Sequence, residues 1–278
     1  IQFHPYRNEV IGRMEDLERI TRQDLYDHYR RYYVPSNAVL AVAGHFNASE
    51  MLAMIAELFG EIPPQPEPTD SIPVEPPMEG ERRIVVNGPG ETELLYVAYR
   101  APSADNPDFL PLAVLNSILA GAVSLILVGG GLSNQTSRLY RALVESNLAA
   151  TLGATLSATI DPFLYHFGMA VRSDGSAESL LSALDDEMAR LMQEPITQKE
   201  LDKAIKQAQA LHAYGNETSY RLAFGMGYAA VFPEIAWLQD PLGHLARVTI
   251  DQVMEAAHKY LDVSNRIVGF YKPNGGGG

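Results

Sequence analysis

Seven histidines are the first residues to weigh, because imidazole serves both metals and protons: His4, His28, His45, His166, His212, His244 and His258. A helix presents two imidazoles to one metal when they stand four residues apart, as in H-E-x-x-H or H-x-x-E-H. No two of these seven have that spacing. Cysteine is absent, which removes thiolate ligands, cysteine nucleophiles and disulfides together. His28 falls on an apolar helical stripe and reads as a core residue rather than a ligand. His166 falls in a strand with no ligand pattern around it. Asp185, Asp186 and Glu187 form a carboxylate run on a helix whose other face is apolar, which reads as a solvated face rather than a metal or acid–base site. Ser133 in GGGLSNQ lacks the trailing glycine of a G-x-S-x-G elbow. The residues therefore supply neither a catalytic group nor a metal ligand.

The glycine run Gly129 to Gly131 invites a phosphate, since backbone N–H groups at a helix start cradle anions. The detail is against it. No lysine stands in the Walker position, and Ser133 and Asn134 stand where G-x-G-x-x-G needs its last glycine. The run before it is helical in length, whereas a dinucleotide turn follows a strand. The favoured reading is a helix end that needs positive φ, followed by a cap at Asn134, Thr136 or Ser137. Nucleotide binding stays open as the alternative.

The elements around these residues alternate. RRIVVNG and LLYVAYRA read as strands, Asp108 to Leu127 as a helix, and Ser137 to Glu145 as another. AATLGATLSATI and FLYHFGMAVRS read as strands meeting at Asp161-Pro162. Ser176 to Gln193 is a helix with Leu180, Leu181, Leu184, Met188 and Leu191 inward. The cap Thr197 with Glu200 opens a further helix with Leu201, Ala204, Ile205, Ala208 and Leu211 inward. This predicts an α+β fold of mostly antiparallel strands with helices packed on one face.

A segment of the chain is repeated at an offset of 228 residues, Ile20 lying over Val248. ITRQDLYDHYRRYYVPSNAVLAV and VTIDQVMEAAHKYLDVSNRIVGF align without a gap. Each copy has a threonine cap with a polar reach-back three residues on, an amphipathic helix, an S-N turn and an apolar strand. Between the copies, Glu61 to Glu81 carries Pro63, Pro64, Pro66, Pro68, Pro73, Pro76 and Pro77, so it reads as an extended linker. The division expected is 1–62 for the end of a first domain, 63–81 for the linker, 82–273 for a second domain and 274–278 for a glycine tail. If the copies are alike in size, the first is truncated, and about 150 of its residues precede Ile1.

Several stretches together resemble the insulinase/pitrilysin family of zinc metallopeptidases, which includes mitochondrial processing peptidase. HPYRNEVIGRMEDLERITRQDLYDHYRRYYVPSNAVLAVAGHFNASEMLAMIAELFG is similar to the end of that family's first domain. NPDFLPLAVLNSILAG and GGGLSNQTSRLYRALVESNLAA are similar to the second, inactive domain, as are the later helices. The resemblance implies homologous α+β domains in pairs, facing each other around a chamber. It places the H-x-x-E-H zinc motif upstream of this chain, so zinc is expected in the parent and no cofactor here. In some members an arginine and a tyrosine of the second half touch the peptide, in a run like L-R-E-K-x-G-L-A-Y. Here Leu143 to Ala150 reads L-V-E-S-N-L-A-A, with Val144 at the arginine position and Ala150 near the tyrosine position. Neither donates a hydrogen bond to an oxyanion. Arg138, Tyr140 and Arg141 remain nearby as candidate substrate-chamber contacts, with packing and capping as the alternative role.

The resemblance implies a non-catalytic portion of a zinc endopeptidase, inactive alone, with a peptide or protein substrate reaching it through the parent. The alternative is a scaffold or core subunit that pairs with an active partner or with its own copy. The net charge of −13 argues against nucleic acid. Leu110 to Leu132 is long enough for a bilayer, but Asn116 and Ser117 interrupt it and no basic cluster flanks it, so a buried helix is expected and no membrane span. No signal segment stands in the chain given, and a soluble protein is expected.

Overall fold

A computed structural model of the chain describes residues 1–66, 68–122, 135–232 and 235–274. Its helices are α1 (Met14–Arg19), α2 (Arg22–Tyr32), α3 (Ala48–Phe59), α4 (Phe109–Leu119), α5 (Ala177–Gln193), α6 (Gln198–Gly215), α7 (Ser219–Ala230), α8 (Pro241–Leu245) and α9 (Ile250–Tyr260). Its strands are β1 (Arg82–Gly88), β2 (Leu94–Ala101), β3 (Ala149–Leu156), β4 (Phe163–Val171) and β5 (Arg266–Pro273). The glycine run at 129–131 and the cap expected at Asn134 lie outside the described residues. Among the described residues no helix is long and apolar enough to cross a membrane.

The chain divides into two compact units, residues 1–77 with 218–231 and residues 78–217 with 232–278. Helix α7 therefore belongs with the first unit, although its sequence lies inside the stretch 82–273. The larger unit is an α+β sheet with strand order β1-β5-β2-β4-β3. β1 runs parallel to β5, and the other three pairings are antiparallel. Helices α4, α5 and α9 cover one face. Every second residue of the central strands enters that core: Leu95, Val97 and Tyr99 of β2, Tyr165, Phe167 and Met169 of β4, and Val268 and Phe270 of β5. Leu180, Leu184 and Leu191 of α5 meet them, as the 3.6-residue spacing requires.

Two expectations are corrected in this unit. Helix α4 ends at Leu119, well before Leu127. Ala120 and Gly121 both donate to the Asn116 carbonyl, and Gly121 has φ 113°, a conformation that ends a helix cheaply only in glycine. The run Asp185 to Glu187 is not one solvated face. Only Asp186 is exposed; Glu187 is buried beside Arg190, and Asp185 bonds Arg266 in two places.

Arg266 itself is 2% exposed at the start of β5. It donates to Glu81 at 2.7 Å, to Asp185 and to the Tyr99 hydroxyl. Burial alone disfavours its charge, but these acceptors outweigh that and hold its pKa above the usual arginine value. The cluster pins the start of β1, the middle of α5 and the start of β5 to one point.

The smaller unit is bare by comparison. His4 and Val34 are the buried residues among those described in it. Helix α2 has the capping box expected from Thr21 and Asp24. Its stripe is exposed all the same, with Leu25 60% and Tyr29 53% accessible. His28 is exposed with it, so the core role expected for His28 is corrected. The apolar run after the S-N turn, residues 38–43, is not a strand. A strand needs a neighbour for its N–H and C=O groups, and among the described residues no strand pairs with it.

Candidate functional site

The sheet face turned away from the helices is the open surface of the larger unit. Cross-strand register sets its rows. One row runs Ile84, Gly269, Tyr96, Gly168, Gly153 from β1 to β3. The row beside it runs Arg82, Ile267, Ala98, His166, Thr155. Tyr96 is 49% exposed in the middle of three glycines. A Cβ on Gly168 would meet the Tyr96 ring at 3.1 Å, so glycine there lets the ring lie close to the backbone. A Cβ on Gly153 would meet nothing within 4 Å. His166 is half-buried, and burial lowers its pKa, which favours the neutral imidazole.

The rim of this face is β3, paired with β4 on one side only among the described residues. The chain reaches it through a π-helical turn, Tyr140–Glu145. Asn147 then takes φ 62°, and its N–H and that of Leu148 return to the carbonyls of Val144 and Leu143. Asparagine is among the residues that tolerate this left-handed conformation. A register shift between Ala149 and Thr151 leaves Ala150 as an unpaired residue at the mouth of the strand.

The residues expected to contact a substrate separate here. Arg138 is committed elsewhere: its guanidinium forks onto the Glu200 carboxylate at 2.8 and 3.0 Å and reaches the Glu194 carbonyl at 3.3 Å. Hydrogen bonds from Arg138 chiefly, and from Thr197, hold the Glu200 pKa down to about 2 against the opposing effect of burial. Glu200 also closes the capping box of α6 with Thr197. Tyr140 and Val144 are half-buried on the π-helical turn, while Arg141 and Ala150 are exposed. Sequence reasoning missed the glycine row and Tyr96; only the register brings Gly153, Gly168 and Gly269 into line.

Among the described residues no cluster of histidines and carboxylates could hold a metal ion. The site offers backbone edge, an aromatic ring and a neutral imidazole.

The profile described as Peptidase M16 inactive domain matches residues 19–208. The chain belongs to this family. It is 24% identical over 275 residues to the zinc protease PqqE of Helicobacter pylori, covering 98% of this chain and 59% of that protein. It is 22% identical over 212 residues to a probable mitochondrial-processing peptidase subunit beta of Schizosaccharomyces pombe, covering 75% of this chain and 45% of the other. The fold is that of a peptidase M16 inactive domain crystal structure from Pseudomonas fluorescens, with TM-score 0.81 and 21% identity over 98% of this chain and 62% of that one. The inactive-domain chain thus spans about three fifths of the length of the first of these relatives.

Proposed function

We propose that this chain is a non-catalytic portion of a zinc metalloendopeptidase, and that the open sheet face forms a wall of the substrate chamber. The observation that carries the reading is the row Tyr96, Gly168 and Gly153 running out to the edge of β3 that pairs with no other strand among the described residues. An extended peptide pairs with a strand edge through its main chain, and a glycine floor leaves room for side chains beside the ring. Hydrolysis would belong to an H-x-x-E-H zinc site on residues other than these, where a metal-bound water attacks the peptide bond. Support comes from the family, from relatives named zinc proteases, and from a sequence with no zinc-binding spacing of its own.

Two measurements test this. Purified as given, the chain binds no stoichiometric zinc and cleaves no quenched peptide library; zinc-dependent turnover by these residues overturns the reading. In the complete protein, Tyr96→Ala and Gly153→Phe lower kcat/KM about tenfold; unchanged kinetics remove the wall.

A second reading is favoured by Val144 and Ala150, which replace the arginine and tyrosine of peptide-contacting relatives. On it the chain is a scaffold that pairs with a homologous half. The coding sequence on either side of this chain decides: an H-x-x-E-H motif with a later glutamate supports the peptidase, and its absence supports the scaffold.

A further inference from the structure

The linker does not hang free of the smaller unit. Arg31 donates to the Thr69 carbonyl at 3.0 Å and to the Asp70 carboxylate at 2.8 Å, and Tyr32 donates to the other Asp70 oxygen at 2.6 Å. Ser36 donates to the Gln65 carbonyl at 2.6 Å. Further on, Glu75 accepts from the backbone N–H groups of Gln2, Phe3 and His4 at 2.6 to 2.9 Å.

The same grip occurs in the other copy of the repeat. There Lys259 and Tyr260 hold the Asp108 carboxylate at 2.6 and 2.9 Å. In each copy the cation also lies 5.1 Å from the centre of its neighbouring tyrosine ring. In the larger unit the gripped aspartate heads α4 and belongs to the domain's own framework. In the smaller unit it is supplied by a segment with no regular secondary structure.

We propose that Arg31, Tyr32 and Ser36 form a binding track for an acidic, proline-rich segment in extended conformation, and that the linker is its resident occupant. The chemistry of the two sides matches. Proline has no N–H, so a proline-rich segment presents mainly carbonyls and any carboxylates it carries. The track presents the complement: a guanidinium and two hydroxyls, all three donating. The contacts fall at residues 65, 69 and 70. The grip is also open to water, with the Arg31 side chain 52% and the Asp70 side chain 46% exposed. Such ion pairs are weak and screened by salt. The linker therefore holds its place by being tethered, at an effective concentration of about a millimolar, and a second segment of the same chemistry competes for it. This site belongs to the smaller unit, and its test does not depend on proteolysis.

The test uses the full chain and a fluorescent synthetic peptide with the sequence of residues 63–75, followed by anisotropy. Asp70→Ala removes the resident carboxylate, and the peptide then binds about tenfold more tightly than to the unaltered chain. Replacing the peptide's aspartate by alanine, adding Arg31→Ala to the Asp70→Ala chain, or raising salt from about 50 to about 500 mM each weakens binding about tenfold or more. Hydrogen exchange reports the linker directly: amides at 69–72 exchange faster in Asp70→Ala while those of α5 do not change. Equal affinity for the aspartate and alanine peptides overturns the proposal. So does absence of binding to the Asp70→Ala chain at millimolar peptide, or unchanged exchange in the linker.

Discussion

The two copies of the repeat share their local chemistry and differ in their surroundings. Thr21 and Asp24 close a capping box, and so do Thr249 and Gln252. Arg31 with Tyr32, and Lys259 with Tyr260, each grip an aspartate. Yet Val253 is 0% exposed while Leu25, its counterpart, is 60% exposed. Arg266, buried among two carboxylates and a tyrosine, corresponds to Ala38, which is exposed. β5 is a strand between β1 and β2, and the equivalent run after Asn37 is none. Caps and turns are settled within a few residues. Burial and strand pairing depend on what stands alongside.

The largest break in this comparison is at Arg266. Arg266→Met leaves Glu81 and Asp185 facing a buried apolar group. It lowers the stability of the larger unit by about 3–5 kcal/mol, read from the urea midpoint. Ala38→Ser, at the matching position, leaves the midpoint unchanged within about 0.5 kcal/mol. Asp108→Ala comes next. It removes a half-buried acceptor of two hydrogen bonds, whose pKa Lys259 and Tyr260 hold low in spite of the opposing effect of burial. The expected loss is about 1.5–3 kcal/mol. Asp70→Ala leaves that midpoint in place and lowers the Tyr32 pKa, because the carboxylate that raises it is gone; an ultraviolet titration of the tyrosines reads the change.

Arg138 gives a pH signature. Glu200 titrates near 4.5 when unfolded and at about 2 when folded. A depressed carboxylate adds stability above its unfolded value and loses it as pH falls toward the folded one. The unaltered chain therefore loses about 1–2 kcal/mol between pH 4.5 and 2, after allowance for solvent screening. Arg138→Ala is less stable at pH 7 and shows a flatter curve in that window. At Tyr165 the expected change has the opposite sign. Its hydroxyl is buried without a hydrogen-bond partner among the described residues, so Tyr165→Phe is neutral or stabilising by up to about 1 kcal/mol.

The parts legible in the sequence were those encoded locally. Thr197 with Glu200 announced α6, alternation announced β2 and β4, and Asp161-Pro162 marked the turn between β3 and β4. The inward residues of α5 followed from spacing. Glu187 broke the pattern, because a carboxylate on the flank of a helix is solvated or buried according to whether Arg190 and its neighbours can meet it. The glycine row was illegible for a different reason. Gly153, Gly168 and Gly269 lie far apart in the chain, and register across three strands is what joins them. Asp70 stands in the proline-rich linker, and only the fold brings it to Arg31 and Tyr32.

The placement of β5 also governs how the larger unit is made. β5 lies between β1 and β2, with Arg82 beside Ile267 and Leu95 beside Phe270. β1 and β2 precede it by more than 160 residues of chain and cannot meet each other without it. Before residues 266–273 arrive, β1 has no partner in the sheet and β2 has one edge unpaired. Pairings of such sequence separation are slow, and edges left open meanwhile are prone to aggregation. β5 is the keystone of the sheet, so the yield of folded protein should respond more sharply to changes in RIVGFYKP than to equal changes in the outer strand β3.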